Sequence, residues 1–262
     1  MFPAAIARSP IVPLFAEPSL RAEQVSQLIL GETASVLQSN AEWRRLRSSL
    51  DGYEGWAHAG YLLEVDEGTA DRWGSDAGGW SLGAVVRIGE NPMRIPLRAR
   101  VAIEGKTVRL PDGRRGELVE GSVPSETDAQ ASARGTAPQR WALQHFSGAS
   151  YEWGGVTPWG VDCSGLVQTT FAARGIRLPR DSSQQIGCGV EVSGGRPQPG
   201  DLLFFRGETT PKITHVAFAD DGDGLVHSTV SCGGVLAESW LAGARAAPLR
   251  ERLVTVRRLE QP

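Results

Sequence analysis

The sequence predicts an α+β protein: two small N-terminal β-barrels, then a mixed domain with an early helix and a later antiparallel sheet. Three observations predict it. Short apolar runs closed by turn formers recur at roughly 8–12-residue spacing through the first half. Glycine and proline supply 32 and 16 of the 262 residues, as turn-rich β-structure requires. Beyond residue 138 the apolar spacing becomes helical before returning to strands.

The first barrel is expected over 8–65. Its strand candidates are Ile11-Val12-Pro13-Leu14-Phe15, Gln27-Leu28-Ile29-Leu30-Gly31, Ala34-Ser35-Val36-Leu37 and Trp43-Arg44-Arg45-Leu46, with Trp43 and Trp56 read as core. Asp51-Gly52 is a hairpin turn signal before Tyr53-Glu54-Gly55-Trp56. The second barrel, 66–125, repeats the texture in Val85-Val86-Arg87-Ile88, Leu97–Ile103 and Thr107-Val108-Arg109-Leu110, with a turn at Pro111-Asp112-Gly113. The small, polar stretch 126–137 reads as a linker. In 138–262, Pro138–Phe146 suits a helix, and Cys163–Arg174 carries Leu166, Val167, Thr170 and Phe171 at helical spacing with Gly175 as its stop. Strands follow at Asp201–Phe205, His215–Ala219 and Leu225–Ser228.

Composition narrows the function. A net charge of −3 without a basic block argues against nucleic acid or an anionic membrane as partner, and no apolar run reaches the ~20 residues of a membrane span. The opening residues, Met1 to Pro10, lack the pattern of an export signal, and three cysteines make no disulfide framework, so a reducing cytoplasm is expected.

Cys163, at the first turn of its helix between Asp162 and Ser164, is the candidate nucleophile. Unpaired amides and the helix dipole favour a thiolate there, while Asp162, suited to cap the helix, opposes it. Gly165 permits close approach of another chain segment. Cys188 and Cys232 lack such a context and read as inert. Of the four histidines (His58, His145, His215, His227), the last two flank the turn-rich Asp220–Gly224. A fold-back about position 221 sets them opposite each other on one hairpin face. His215 then takes the thiol proton and His227 holds its ring. The same pair also fits a satisfied surface pair. A zinc reading lacks a close ligand pair, and the acidic turn lacks the glutamate a calcium loop needs (Ser231 stands there), so neither metal nor cofactor is invoked.

At these residues the sequence resembles the NlpC-type cell-wall cysteine peptidases. The resemblance is carried by Tyr151-Glu152-Trp153-Gly154-Gly155 with Gly160 to Gln168, by Leu178-Pro179-Arg180-Asp181-Ser182-Ser183-Gln184-Gln185, by Pro199 to Phe205, and by the blocks around His215 and His227. It implies a papain-like α+β domain with Cys163, His215 and His227 as catalytic set, working through an acyl-enzyme, with the Cys163 amide as oxyanion donor. Trp43 to Leu46 and Asp51 to Trp56 resemble bacterial SH3-like domains. Two of these before the peptidase resemble the γ-D-glutamyl-L-diamino-acid endopeptidases, which cut between γ-D-glutamate and diaminopimelate in peptides with a free N-terminal L-alanine. The resemblance implies that the first barrel caps the groove. It further implies that Tyr53 lies by the nucleophile and that Asp162, Ser164, Ser182 (less surely Ser183) and Glu17 hold the substrate amine, whose charge compensates Asp162. The expected partner is a murein peptide in cytoplasmic recycling. The alternatives are a peptidoglycan-binding protein anchored by its SH3-like domains, or a thiol amidase or acyltransferase on the same scaffold. Related acyltransferases place histidine before cysteine, the reverse of the order here.

Overall fold

The computed structural model describes residues 2–193 and 196–260, which form two compact units, 1–130 and 131–262. In the first unit, seven strands make one antiparallel sheet: β1 (Ala4–Ala7), β2 (Ile11–Phe15), β3 (Gln24–Ile29), β4 (Thr33–Asn40), β5 (Trp43–Ser48), β6 (Glu54–His58) and β7 (Leu62–Val65). Their order is β3-β2-β6-β5-β4-β1-β7. Alternation decides which face is inside: Val12 and Leu14 of β2 are buried between half-exposed neighbours, and they pack with Leu28, Val36, Leu46 and Ala57. Gly52, at φ +73°, turns the chain between β5 and β6 in a conformation that costs glycine least. Trp43 and Trp56, expected in this core, are only half-buried; Trp43 instead packs edge-on between Phe15 and His58.

A helix the sequence reading missed, α1 (Glu67–Asp76), follows. Asp66 caps it, accepting from the Thr69 amide at 2.9 Å, and Trp73 is its buried anchor, donating through Nε1 to the Gly31 carbonyl. The four strands β8 (Gly79–Ile88), β9 (Asn91–Glu104), β10 (Thr107–Arg109) and β11 (Arg115–Gly121) then close a barrel in the order β10-β11-β8-β9. This barrel and the first sheet share a seam. Ile6, Trp73, Ala77 and Ala102 pack together, and the Arg100 amide donates to the Leu30 carbonyl. A bulge in β9 carries Arg98 at φ +77°, where its buried guanidinium pairs with Glu32 at 2.7 Å. Burial pushes the Glu32 carboxyl up, and Arg98 opposes that shift.

The expected linker 126–137 is largely helical: α2 spans Glu126–Arg134. Ser125 starts it, its hydroxyl accepting from the Asp128 amide and donating to the Asp128 carboxylate, and Ala129 and Ala133 are buried. Its alanines, with Glu126, Gln130 and Arg134, are good helix formers once the first turn is capped.

The second unit continues with α3 (Pro138–Phe146), the hairpin β12 (Val156–Thr157) and β13 (Gly160–Val161), α4 (Cys163–Ala172) and α5 (Ser182–Gln185). Then come β14 (Val190–Glu191), β15 (Leu202–Arg206), β16 (Ile213–Ala219), β17 (Gly224–Thr229), β18 (Gly234–Ser239), α6 (Leu249–Arg252) and β19 (Leu253–Arg258). The sheet runs β14-β19-β15-β16-β17-β18. Leu202 to Phe205 of β15 are buried on both faces. All ten residues of α4 are buried, and the helix packs against β16 and β17. Gly175, at φ +79°, ends it as expected: the Ile176 amide reaches back to the Phe171 carbonyl and the Gly175 amide to that of Ala172.

Candidate active site

The site grows from the start of α4. Asp162, in extended conformation, is the N-cap: its Oδ1 accepts from the Gly165 amide at 2.7 Å. Cys163 is therefore the first helical residue, whose amide has no acceptor within the helix. Gly165 is required by packing, since a Cβ there would collide with the Gly155 carbonyl oxygen. Two buried bonds hold the surroundings: Ser228 Oγ donates to the Val161 carbonyl at 2.6 Å, and Thr169 Oγ1 to that of Val156 at 2.8 Å.

Asp162 is the hub of a buried network. Besides Gly165, it accepts from the Gly154 amide at 2.9 Å, from Ser164 Oγ at 3.2 Å, and from both terminal nitrogens of Arg180, at 2.5 and 3.1 Å. Arg180 is 1% exposed, and its guanidinium also donates to Ser164 Oγ at 2.8 Å. The cation that compensates Asp162 is thus built into the chain. The expectation that a substrate ammonium supplies it is corrected to that extent, because five donors already occupy the roughly four lone-pair sites of one carboxylate. Ser182 opens α5, which packs against α4 and β16, and Gln185 of the same helix donates to the Ser164 carbonyl at 3.1 Å.

The thiol is not a resting thiolate. Burial, and next the charge of Asp162, push Cys163 up to about 12, outweighing the amides of Val216 and Ser164 and the more distant Arg180 that favour the charged form. The expectation of a dipole-stabilised thiolate fails first because the sulfur is buried, and next because the residue that caps the helix puts a carboxylate beside it. The Val216 contact shows where the thiol stands: at the backbone of β16, next in sequence to His215.

His215 and His227 come together. The hairpin pairs Phe218 with Val226 and Ala219 with Leu225, a fold-back about residue 222 rather than 221. The histidines are consequently diagonal neighbours on one face, not directly opposite. Their rings meet in a T-shape, with His215 Nε2 2.8 Å from His227 Nδ1. His227 Nε2 in turn lies 2.7 Å from Glu238 Oε1 on β18, and Arg245 pairs with the same carboxylate oxygen. Burial holds both imidazoles neutral, His215 down to about 3 with help from His227, and His227 to about 4. The site at rest is a neutral thiol with two neutral imidazoles. That set suits proton transfer from sulfur to imidazole in step with nucleophilic attack.

Tyr53 follows the Asp51-Gly52 turn in the first unit, half-buried, its amide bonded to Asp51 Oδ1 at 3.0 Å. Glu17 is exposed in the segment after β2. His58 and His145 lie elsewhere: His58 caps a short 3-10 turn, and His145 stacks on Trp141. Sequence reasoning missed Arg180 as the partner of Asp162, Glu238, and Tyr151. The Tyr151 phenol is pushed up by burial first and by the nearby charge of Asp162, so it stays protonated. Arg180 had a usable signal, since a buried aspartate beside a nucleophile needs a cation. Glu238 had none.

With this geometry in place, comparison with known proteins is informative. The NlpC/P60 family profile matches residues 148–253, and the profile of a bacterial dipeptidyl-peptidase SH3 domain matches residues 14–60. The chain carries an NlpC/P60 domain. That domain belongs to a cysteine peptidase family, and its matched span holds Cys163, His215, His227 and Glu238. Among curated relatives, the probable endopeptidase NlpC of Escherichia coli is 37% identical over 92 residues, 35% of this chain and 60% of that protein. A γ-D-glutamyl-L-lysine dipeptidyl-peptidase of Bacillus cereus is 32% identical over 139 residues, 52% of this chain and 41% of that protein. The chain therefore matches less than two thirds of the length of these relatives. In fold, a crystal structure of an NlpC/P60 family protein from Bacillus cereus superposes with a TM-score of 0.78 at 20% identity, over 98% of this chain and 99% of that one. An NlpC/P60 endopeptidase from Photobacterium damselae superposes at 0.70 and 15% identity, over 97% and 70%. The α+β architecture of the NlpC/P60 domain behind an SH3-like segment is thus shared.

Proposed function

We propose that this chain is a cysteine endopeptidase that hydrolyses the bond between γ-D-glutamate and a diamino acid, diaminopimelate foremost, in peptidoglycan peptides with a free N-terminal L-alanine. The observation that carries the reading is the ordered set Cys163, His215, His227 within a domain of peptidase family. The substrate class is supported by the SH3-type segment before that domain and by the dipeptidyl-peptidase name of a relative.

In the reaction, Cys163 Sγ bonds to the γ-carbonyl carbon of D-glutamate as its proton passes to His215. The imidazolium returns that proton to the leaving diamino-acid nitrogen, and the C–N bond breaks to give a thioester. Water then attacks the thioester, giving a proton to His215 and restoring the thiol. His227 keeps the ring of His215 in place. The backbone amide of Cys163 donates to the oxyanion.

Free-amine recognition is assigned to Ser164 and Ser182. Asp162, saturated by its own chain, contributes its charge rather than a lone pair. The proposal places this chemistry in the cytoplasm, in murein-peptide recycling. Incubation with L-Ala-γ-D-Glu-diaminopimelate, free and glycan-linked, tests it: Cys163-dependent release of L-Ala-γ-D-Glu from the free peptide is expected. Cleavage of glycan-linked material alone would reject the substrate assignment.

A further inference from the structure

We propose that Glu238 is a positioning residue for the nucleophile's base: through two imidazoles in series it fixes which nitrogen of His215 accepts the thiol proton. The proposal deepens the peptidase reading and rests on it for its kinetic consequence.

Glu238 is paired with Arg245, and a carboxylate held in an ion pair only accepts hydrogen bonds. Its Oε1 stands 2.7 Å from His227 Nε2, so that nitrogen carries the proton of a neutral ring. His227 Nδ1 is then the lone-pair nitrogen, and at 2.8 Å it accepts from His215 Nε2. With Nε2 of His215 protonated, its Nδ1 is the free lone pair. A histidine pair alone does not choose between directions, because each neutral imidazole can donate or accept at either nitrogen. The carboxylate at the far end removes the choice. With Glu238 acting as an obligate acceptor, the reversed chain, in which His227 Nδ1 donates to His215 Nε2 and Nδ1 of His215 carries the proton, would set two lone pairs face to face.

Burial makes the arrangement stringent. His227 is 2% exposed and Glu238 side-chain exposure is 12%, so little water is available to accept from His227 instead. The ladder fixes the spacing: His227 lies opposite Leu236 and Glu238 opposite Leu225, which puts the two side chains on one face of β17 and β18, one diagonal step apart. Arg245, at the exposed edge, supplies the countercharge where solvation is cheap.

The test is Glu238→Ala, with Glu238→Gln as the conservative variant, in the full chain. Ring 15N shifts of histidine report tautomers directly. In the wild type His215 and His227 should each show one tautomer, protonated at Nε2. Glu238→Ala should show a mixture, and its kcat should fall about 10–100-fold with KM unchanged, the size of effect seen for the outer-shell partners of metal-bound histidines. Glu238→Gln, whose amide oxygen still accepts, should recover most of kcat and the single tautomer. Thermal denaturation separates loss of fold from loss of tautomer. If Glu238→Ala does not fold, Glu238→Leu, which fills the volume without an acceptor, carries the same expectation. Unchanged ring shifts in a folded variant lacking the acceptor, or unchanged kcat, would overturn the proposal. If the wild type turns over no peptide, the peptidase reading fails, while the ring shifts still decide the role of Glu238.

Discussion

Arg180 and Asp162, the cap of the nucleophile's helix, form a buried ion pair, 2.5 Å apart at its closest. The pair does two jobs at once. It lets an aspartate, the best N-cap by chemistry, sit in a place without water, and it keeps that carboxylate's charge next to the thiol. The first makes the helix start rigid. The second adds to burial in keeping Cys163 protonated until a base removes its proton.

Breaking this pair from one side should be costly. Arg180→Leu leaves Asp162 charged, buried and short of two donors, a loss of about 3–5 kcal/mol in stability. The double variant Arg180→Leu with Asp162→Asn should recover part of it. Urea unfolding of the single and double variants measures both. Equal stability of Arg180→Leu and wild type would mean that the ion pair contributes nothing.

Alkylation reads the protonation state of the nucleophile. Because the thiol is pushed up to about 12, the rate of Cys163 with iodoacetamide should climb steadily with pH through the neutral range. A preformed thiolate–imidazolium pair would instead give a fast, pH-independent plateau across about pH 5–8. That plateau is the contrary result.

The two histidines also make stability depend on pH. Their folded values, about 3 for His215 and 4 for His227, lie below the ~6.5 of an unfolded histidine, so the unfolded chain binds more protons between those limits. Stability is therefore lost as pH falls from about 6.5 toward about 4, at up to about 1.4 kcal/mol per pH unit for each ring. His227→Gln should remove the share of His227 from that slope. Urea midpoints of the two proteins across this range provide the comparison.

Substrate recognition makes a separate expectation. Acetylating the N-terminal amine of L-Ala-γ-D-Glu-diaminopimelate should raise KM or stop cleavage. Equal rates for free and acetylated peptides would remove the amine from the list of recognised groups and with it the roles given to Ser164 and Ser182.

Much of this was legible in the residues. Most strands of the first sheet and of the barrel, and the helix starting at Cys163, declare themselves through local alternation, spacing, caps and glycine stops, which need no tertiary partner; Ala4–Ala7, Leu62–Val65 and Arg115–Gly121 carry too little of that pattern and were not read as strands. The histidine pair was legible because a turn-rich stretch sits midway between its members. The register still differed by one residue, since turn composition does not fix where pairing begins. Helices α1 and α2 were missed because Glu67–Asp76 and Glu126–Arg134 are mostly polar with few apolar residues, and their stability comes from caps at Asp66 and Ser125 and anchors such as Trp73. Arg180 and Glu238 act through partners 18 and 11 residues away in sequence, and such pairings are set by packing rather than by local pattern. The protonation state of Cys163 reversed its expectation for the same reason: burial is a property of the fold, and here it exceeds the helix-start effect.

The most direct measurement compares wild type with Cys163→Ala on L-Ala-γ-D-Glu-diaminopimelate, with mass spectrometry following release of L-Ala-γ-D-Glu and trapping of a thioester in the wild type. The account predicts turnover and a thioester mass on Cys163 in the wild type, and neither in Cys163→Ala despite an unchanged unfolding midpoint. Equal release by the two proteins would contradict it.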